Sequence, residues 1–131
     1  MKAIILAAGE GTHISPFSET RPISMIGVAG RTMLDNTFSL LKNAGINDIF
    51  VVVGHKQEKL IERLQEQDHN GLNLHYVEQK RKLGIGDAVM QVKNKISPGE
   101  YFLLLYGDTL TAENIFSKVQ QSFHSFKCPV A

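Results

Sequence analysis

The residues best suited to chemistry lie near the start of the chain, where a short apolar segment leads directly into a loop with two glycines. Residues 3–16 are Ala-Ile-Ile-Leu-Ala-Ala-Gly-Glu-Gly-Thr-His-Ile-Ser-Pro. Between Leu6 and Glu10 no side chain is bulky, so backbone N–H groups can face a ligand there. Because glycine permits close approach and amide dipoles attract negative charge, such a turn at a strand end can bind phosphate.

This loop does not match two common phosphate-binding motifs. A dinucleotide fingerprint needs a third glycine where Ile14 stands and a tight turn into a helix, but Pro16 and a long loop follow. A P-loop closes with Gly-Lys-Ser/Thr, which Gly11-Thr12-His13 does not supply. The phosphate-binding hypothesis therefore depends on the strand end and the two glycines.

Two polar residues further along the chain are weaker candidates when each is taken alone. Asp108 follows an apolar segment and precedes Thr109, so it could contact a ligand or simply cap a turn. Gln79 alone would more often be a solvated loop residue than a ligand contact. The histidines have no spacing typical of metal ligands.

The elements that would position these residues alternate between strand and helix. Continuous apolar segments predict strands, and apolar residues at helical spacing predict helices. The predicted strands are Lys2 to Ala7, Ile49 to Val53, Leu72 to Val77 and Tyr101 to Tyr106. The predicted helices are Thr32 to Asn43, Gln57 to Gln67, Gly86 to Ile96, and Thr111 or Ala112 to Phe126. The first strand is expected to be central and covered on both faces, and the third to lie nearer the sheet edge.

This order predicts an α/β fold with three layers: a Rossmann-like, mostly parallel sheet with helices on both faces. Residues Gly9 to about Gly30 form a long connection at a strand end, where open α/β sheets bind ligands, so we interpret it as functional. Cys128 to Ala131 resembles the beginning of another strand. We therefore expect the fold to be incomplete at its C-terminus, as the N-terminal part of a larger domain.

Composition and charge indicate one domain that binds a small ligand. The 131 residues are 43% hydrophobic, enough for one core, and the net charge of +1 offers no basic field for nucleic acid or an anionic membrane. The apolar segment Ala3 to Ala8 is too short for a signal peptide or a membrane span. The single cysteine, Cys128, fits a reducing compartment. We expect a cytoplasmic protein with no nucleic-acid or membrane partner.

Three sequence blocks in the same order resemble the signature of the sugar-phosphate nucleotidyltransferases, also called nucleoside-diphosphate-sugar pyrophosphorylases. The first is Leu6-Ala7-Ala8-Gly9-Glu10-Gly11-Thr12, followed by Pro16, Arg21-Pro22, Met25, Val28, Gly30 and Arg31. The second is Gln79 with Leu83-Gly84, and the third is Leu103-Leu104-Leu105-Tyr106-Gly107-Asp108. Three blocks over most of the chain are far more specific than one glycine loop.

The resemblance implies transfer of a nucleoside monophosphate from an NTP to a sugar 1-phosphate, with release of pyrophosphate and with Mg²⁺ as the cofactor. It implies nucleotide binding by Leu6, Ala7, Ala8, Gly9, Glu10, Gly11, Thr12, Gln79 and Gly84. It also implies a catalytic and Mg²⁺-binding role for Asp108. In a working enzyme, His13 or Arg21 would be the catalytic residues that partly replace family cations missing from this chain. Residues 1–131 would then form the NTP-binding N-terminal part of such a domain.

Two departures from the family pattern concern the cations. His13 stands where the signature has arginine, and Ile23 stands where it has lysine. Losing a preorganised cation beside the transition state typically costs on the order of a hundredfold in rate or more.

Two hypotheses therefore remain: a working or weakly working nucleotidyltransferase, or a catalytically impaired nucleotide-binding or regulatory module of the same fold. A weaker third is nucleotide transfer to another phosphorylated acceptor. We expect little or no turnover from the isolated chain, and an unfinished sheet edge favours a homo-oligomer.

Overall fold

Strands and helices alternate along the chain, as the sequence predicts. A computed structural model describes residues 1–9, 23–54, 57–66, 69 and 71–126. In this part of the chain the strands are β1 (Lys2–Leu6), β2 (Gly27–Val28), β3 (Arg31–Thr32), β4 (Asp48–Gly54), β5 (Asn73–Gln79) and β6 (Phe102–Tyr106). The helices are α1 (Met33–Asn43), α2 (Glu58–Glu66), α3 (Ile85–Met90) and α4 (Ile115–Phe126), with short 3-10 helices at Ile23–Met25 and Lys93–Lys95.

Four of these strands form a parallel sheet in the order β5-β4-β1-β6. The central strand β1 aligns Ile5 with Val51 of β4 on one side and with Leu105 of β6 on the other. Ala3, Ile4 and Ile5 are fully buried, so the predicted central strand is confirmed. β5 is the outermost strand on its side, which confirms its predicted position near the edge.

Helices cover both faces of this sheet. Successive side chains of β1 point to opposite faces, so its apolar residues contribute to a core on each side. Ile5 belongs to a core that includes Leu34 of α1 and Leu60 of α2, together with α4. Ile4 belongs to a second core with Ala88 of α3. Burying each large aliphatic side chain of this kind contributes about 1.5–3 kcal/mol. The three-layer, mostly parallel α/β fold predicted from the sequence is therefore confirmed.

Helix α1 begins and ends where its cap residues predict. Thr32 Oγ1 accepts from the Asp35 amide, and Asp35 Oδ2 accepts from the Thr32 amide, each at 3.1 Å, which forms a capping box. At the other end the Gly45 amide donates to the Lys42 carbonyl and the Ile46 amide to the Leu41 carbonyl, both at 2.9 Å. This is the hydrogen-bond pattern of a Schellman motif, as expected for a glycine cap.

The end of the long connection has more structure than the sequence indicates. β2 and β3 pair antiparallel, with Val28 opposite Arg31. The two residues between them, Ala29 and Gly30, both have positive φ, 51° and 82°, as a type I′ hairpin turn requires. The hairpin leads directly into Thr32, the N-cap of α1.

Two predicted helices are longer than the observed ones. α3 ends at Met90 instead of Ile96, because the following turn tightens to i→i+3 hydrogen bonds such as that from Lys95 N–H to the Val92 carbonyl at 2.8 Å. Apolar spacing cannot distinguish that 3-10 turn from α-helix. α4 begins at Ile115, because Asn114 has a φ of 66°, outside the helical region. Among the described residues, none of the helices is long and apolar enough to cross a membrane.

The predicted strand that ends at Tyr106 is present and is covered on one face only. Leu103 and Leu105 of β6 pack against the first core, but Phe102, Leu104 and Tyr106 on the other face are 39%, 42% and 51% exposed. β6 is the last strand of the described sheet, so it has a neighbour on one side only. The predicted strand beginning at Cys128 lies outside the described residues.

Candidate functional site

A pocket of about 230 Å³ opens at the carboxyl ends of β1, β5 and β6. This is where open parallel sheets place ligands. Its walls come from the segment after β1, the 3-10 helix before β2, the segment from the end of β5 into α3, and the segment after β6. The lining residues are Leu6, Ala7, Ala8, Gly9, Ser24, Gln79, Lys82, Gly84, Ile85, Ala88, Tyr106 and Asp108.

Most residues that the sequence analysis selected, and that the structure describes, surround this one pocket. Leu6, Ala7, Ala8, Gly9, Gln79, Gly84 and Asp108 all line it. The other selected residues, Glu10, Gly11, Thr12, His13 and Arg21, lie outside the described part of the chain. The side chain of Ile23 is likewise outside it, although its backbone begins a 3-10 helix.

The segment after β1 divides into a structural half and a half available to a ligand. The Ala7 amide donates to the Val52 carbonyl at 2.8 Å, and the Leu6 carbonyl accepts from the Gly107 amide at 2.9 Å. No backbone hydrogen bond joins the N–H groups of Ala8 and Gly9 to another described residue. These two amides are therefore the backbone donors that the pocket offers to an anion.

Asp108 reaches the pocket because Gly107 brings the end of β6 against the end of β1. A Cβ atom on Gly107 would lie 3.2 Å from the Leu6 carbonyl oxygen and 3.3 Å from the Ala7 Cβ, tighter than nine in ten real Cβ contacts. A larger residue would push the two strand ends apart. The exposed carboxylate of Asp108 consequently lies at the same pocket as Ala8 and Gly9.

Asp108 fits a magnesium site in which the substrate supplies most of the ligands. No group of three acidic, histidine or cysteine side chains within the described ranges could hold a metal by itself. Mg²⁺ is usually bound by one or two carboxylates together with substrate phosphates and water. Asp108 would supply one carboxylate ligand to such an ion, while the nearby backbone amides would bind phosphate oxygens and not the metal.

Gln79, the last residue of β5, is buried with its amide orientation fixed by neighbours. It is 4% exposed, and its Nε2 donates to the Gly84 carbonyl at 3.1 Å and to Asp87 Oδ2 at 2.8 Å. Both partners can only accept, so a flipped amide would place oxygen against two oxygens. Because Nε2 is engaged by these two acceptors, Oε1 is the atom through which the side chain can accept from a ligand.

The turn from β5 to α3 needs glycine at position 84. Gly84 is the N-cap of α3 with φ 97° and ψ −179°, a conformation that is essentially restricted to glycine. Its carbonyl accepts from both the Gln79 side chain and the Ala88 amide, the latter at 3.2 Å. The glycine thus links the helix start to the position of the Gln79 amide.

Sequence reasoning missed five of the lining residues: Ser24, Lys82, Ile85, Ala88 and Tyr106. Lys82 brings a cation to the pocket and lies between Gln79 and Gly84, so that block of sequence could have indicated it. Ser24 is 1% exposed, and its Oγ is buried without a partner in the described protein. No sequence signal identifies Ser24, since its burial depends on how the 3-10 helix packs.

Comparison with known proteins shows which family the chain matches. The model of a family described as nucleotidyl transferase matches residues 2–127. The bifunctional protein GlmU of Methanococcus maripaludis (strain C5) is 38% identical over 115 residues, which cover 88% of this chain and 26% of that protein. The UTP–glucose-1-phosphate uridylyltransferase AglF of Haloferax volcanii is 32% identical over 121 residues, covering 92% of this chain and 49% of AglF.

Solved structures share the fold. A UDP-glucose pyrophosphorylase from Acinetobacter baumanii superposes with a TM-score of 0.79 at 22% identity, covering 97% of this chain and 53% of that one. At this identity the likeness concerns the fold alone. The chain spans about a quarter of the length of GlmU and about half that of AglF.

Proposed function

The chain belongs to the nucleotidyl transferase family, and from that premise we propose that it carries the NTP-binding half of an enzyme that makes a nucleoside-diphosphate sugar. The reaction joins an NTP and a sugar 1-phosphate and releases pyrophosphate. The observation that supports this most directly is the convergence of three kinds of group on one pocket. These are the backbone amides of Ala8 and Gly9, the fixed side-chain amide of Gln79, and the carboxylate of Asp108.

These groups divide between the two ends of an NTP. Gln79 ends β5 and Gly84 is the N-cap of α3, and from these positions both would contact the base. The Ala8 and Gly9 amides would bind the phosphates, because they follow β1 without a bulky side chain in the way. The apolar walls formed by Leu6, Ile85 and Ala88 would exclude water around the base and ribose.

The chemistry is an in-line displacement at the α-phosphorus. A phosphate oxygen of the sugar 1-phosphate forms the new P–O bond, and the bond from the α-phosphorus to the bridging oxygen breaks, so pyrophosphate leaves with that electron pair. The chain's contribution is to hold the triphosphate in line by backbone amides and to place Asp108 beside it. When Mg²⁺ is bound by Asp108 and the phosphates, it would neutralise negative charge on the phosphate oxygens.

A second candidate is a nucleotide-binding or regulatory module with impaired catalysis. It is favoured by the sequence at positions 13 and 23, where His13 and Ile23 replace the arginine and lysine of the family signature. A histidine is only partly cationic near neutral pH, and an isoleucine cannot donate a hydrogen bond. In this form the backbone donors and Gln79 would still bind an NTP without efficient turnover.

The test is pyrophosphate release by the full-length protein with Mg²⁺, across the common NTPs and sugar 1-phosphates. We expect Asp108→Asn, which keeps the side-chain shape, to lower turnover by on the order of a hundredfold or more. The matched control is Asp48→Asn. Asp48 is the first residue of β4, so it lies at the amino ends of the parallel strands, away from the pocket. Its Oδ1 accepts from Asn73, and an asparagine at position 48 can still accept there.

The outcomes separate the two candidates. Turnover that depends on Asp108 but not on Asp48 supports the enzyme. NTP binding without turnover, with turnover restored by Ile23→Lys, supports the impaired module. A protein that neither binds an NTP nor releases pyrophosphate contradicts both.

A further inference from the structure

The side-chain amide of Gln79 owes its orientation to a residue that does not line the pocket. The shorter of its two hydrogen bonds, 2.8 Å, goes from Nε2 to Asp87 Oδ2. Hydrogen bonds to an ionised acceptor are stronger than those between neutral groups. Asp87 therefore contributes more to holding this amide than the Gly84 carbonyl does.

Asp87 is itself held in place. It lies in the first turn of α3, where a carboxylate interacts favourably with the helix dipole. Its other oxygen, Oδ1, accepts from Gln91 Nε2 at 3.3 Å, one turn further along the helix. At 3.3 Å this second hydrogen bond is long, so the place of Asp87 in the helix, more than Gln91, fixes the carboxylate that accepts from Gln79.

We propose that Asp87 is a positioning residue that turns the Gln79 oxygen toward the nucleobase, and that this orientation selects bases presenting an N–H donor at that edge. Uracil and thymine carry an N–H at N3, whereas cytosine has a lone pair there that would face Gln79 Oε1. The assignment rests on the proposed function, because it takes Gln79 to be the base contact. Asp87 thereby acts on specificity without touching the nucleotide.

A site built to accept one hydrogen bond discriminates strongly, because a wrong base leaves a buried polar group unpaired. If the Gln79 amide could rotate freely, it would offer either its oxygen or its nitrogen, and both bases would find a partner. The ratio of uridine to cytidine nucleotide affinity therefore reports on the orientation. A residue that only stabilised the fold would change both affinities equally.

The experiment measures UTP and CTP binding to the full-length protein by calorimetry, for wild type, Asp87→Ala, Asp87→Asn and the control Gln91→Ala. We expect Asp87→Ala to lower the UTP-to-CTP affinity ratio about tenfold or more. Asp87→Asn should retain most of it, because its Oδ1 can still accept from Gln79. Gln91→Ala removes the other hydrogen bond of the same carboxylate, and should leave the ratio unchanged.

A second measurement does not depend on nucleotide binding or on the folding of a variant. In the free wild-type protein, the side-chain amide protons of Gln79 should exchange slowly with solvent in NMR spectra, because both are hydrogen-bonded. Rapid exchange of both protons overturns the assignment.

The binding outcomes distinguish this assignment from the proposed function. If wild type prefers UTP and Asp87→Ala weakens both nucleotides by the same factor, the assignment is overturned and the proposed function stands. If wild type binds neither nucleotide, the proposed function is overturned and the assignment with it. A fall in the ratio in Asp87→Ala alone supports both.

Discussion

Replacing Gly84 by alanine should destabilise the protein although the added methyl group would touch nothing. A Cβ on Gly84 has no neighbour within 4 Å, so no steric clash arises with surrounding atoms. The backbone, at φ 97° and ψ −179°, lies in a region where a residue with a Cβ costs about 1–3 kcal/mol. In urea, small proteins lose about 1–3 kcal/mol per molar, so the unfolding midpoint should fall by about 1 M.

Gly86→Ala is the matched control for this change. Gly86 lies two residues further along, inside α3, and its Cβ would also meet nothing within 4 Å. Its φ is not in the positive range, so alanine there should be neutral or stabilise by up to about 1 kcal/mol, as in other helix interiors. Equal effects of the two substitutions would refute the conformational argument, since the two methyl groups differ only in backbone geometry.

The Gly84 substitution should also affect ligand binding in the pocket. If the strained peptide relaxes, the Gly84 carbonyl moves away from Gln79 Nε2, which it now accepts from at 3.1 Å. We therefore expect Gly84→Ala, but not Gly86→Ala, to weaken NTP binding in the folded protein. Unchanged affinity in a measurably destabilised Gly84→Ala variant would mean that this carbonyl is not needed to hold the amide.

Two further predictions concern stability away from the base contact. Glu100 accepts from the Ser97 amide at 3.0 Å and from Lys2 Nζ at 2.9 Å, and these two interactions, the Ser97 bond first, hold its pKa below the usual 4.5. Because the pKa is lower in the folded state, the ionised carboxylate stabilises the fold above about pH 4.5, and this stability is lost as the pH falls through the folded-state pKa. Glu100→Gln should therefore lower the free energy of unfolding in urea near neutral pH but not in acid. A loss of stability that does not change with pH contradicts this. Ser24→Ala removes a buried hydroxyl without a partner in the described protein and should raise the free energy of unfolding by about 1 kcal/mol, whereas a loss would reveal a hydrogen bond to that hydroxyl.

The parts of the fold that the sequence predicted well are those specified by local chemistry. Helix α1 is bounded by Thr32 and Gly45, whose side-chain and backbone properties determine the caps wherever the helix packs. β1 was identifiable because a continuous apolar segment of strand length must be covered on both faces, which requires a central position in the sheet. The exposure of Tyr106 was not predictable, because it depends on which strands and helices cover β6.

The candidate site likewise contains residues that the sequence indicates and a contact that only the folded structure shows. Gly9, Gln79 and Asp108 come from three separate blocks of the family signature, and all three line one pocket. The role of Asp87 could not be read from the sequence beyond its place in a first helical turn. Its contact with Gln79 depends on the angle at which α3 leaves Gly84, and that angle is a property of the folded chain.

What a binding side chain offers a ligand is decided by the neighbours that occupy its other atoms. A glutamine can donate or accept, so the residue type at position 79 is compatible with any base. Once Gly84 and Asp87 occupy both hydrogens of Nε2, only an acceptor remains, and the range of compatible base edges narrows to those with a donor. By this argument specificity resides in the three residues together, and a change of base preference requires a change in Asp87 as much as in Gln79.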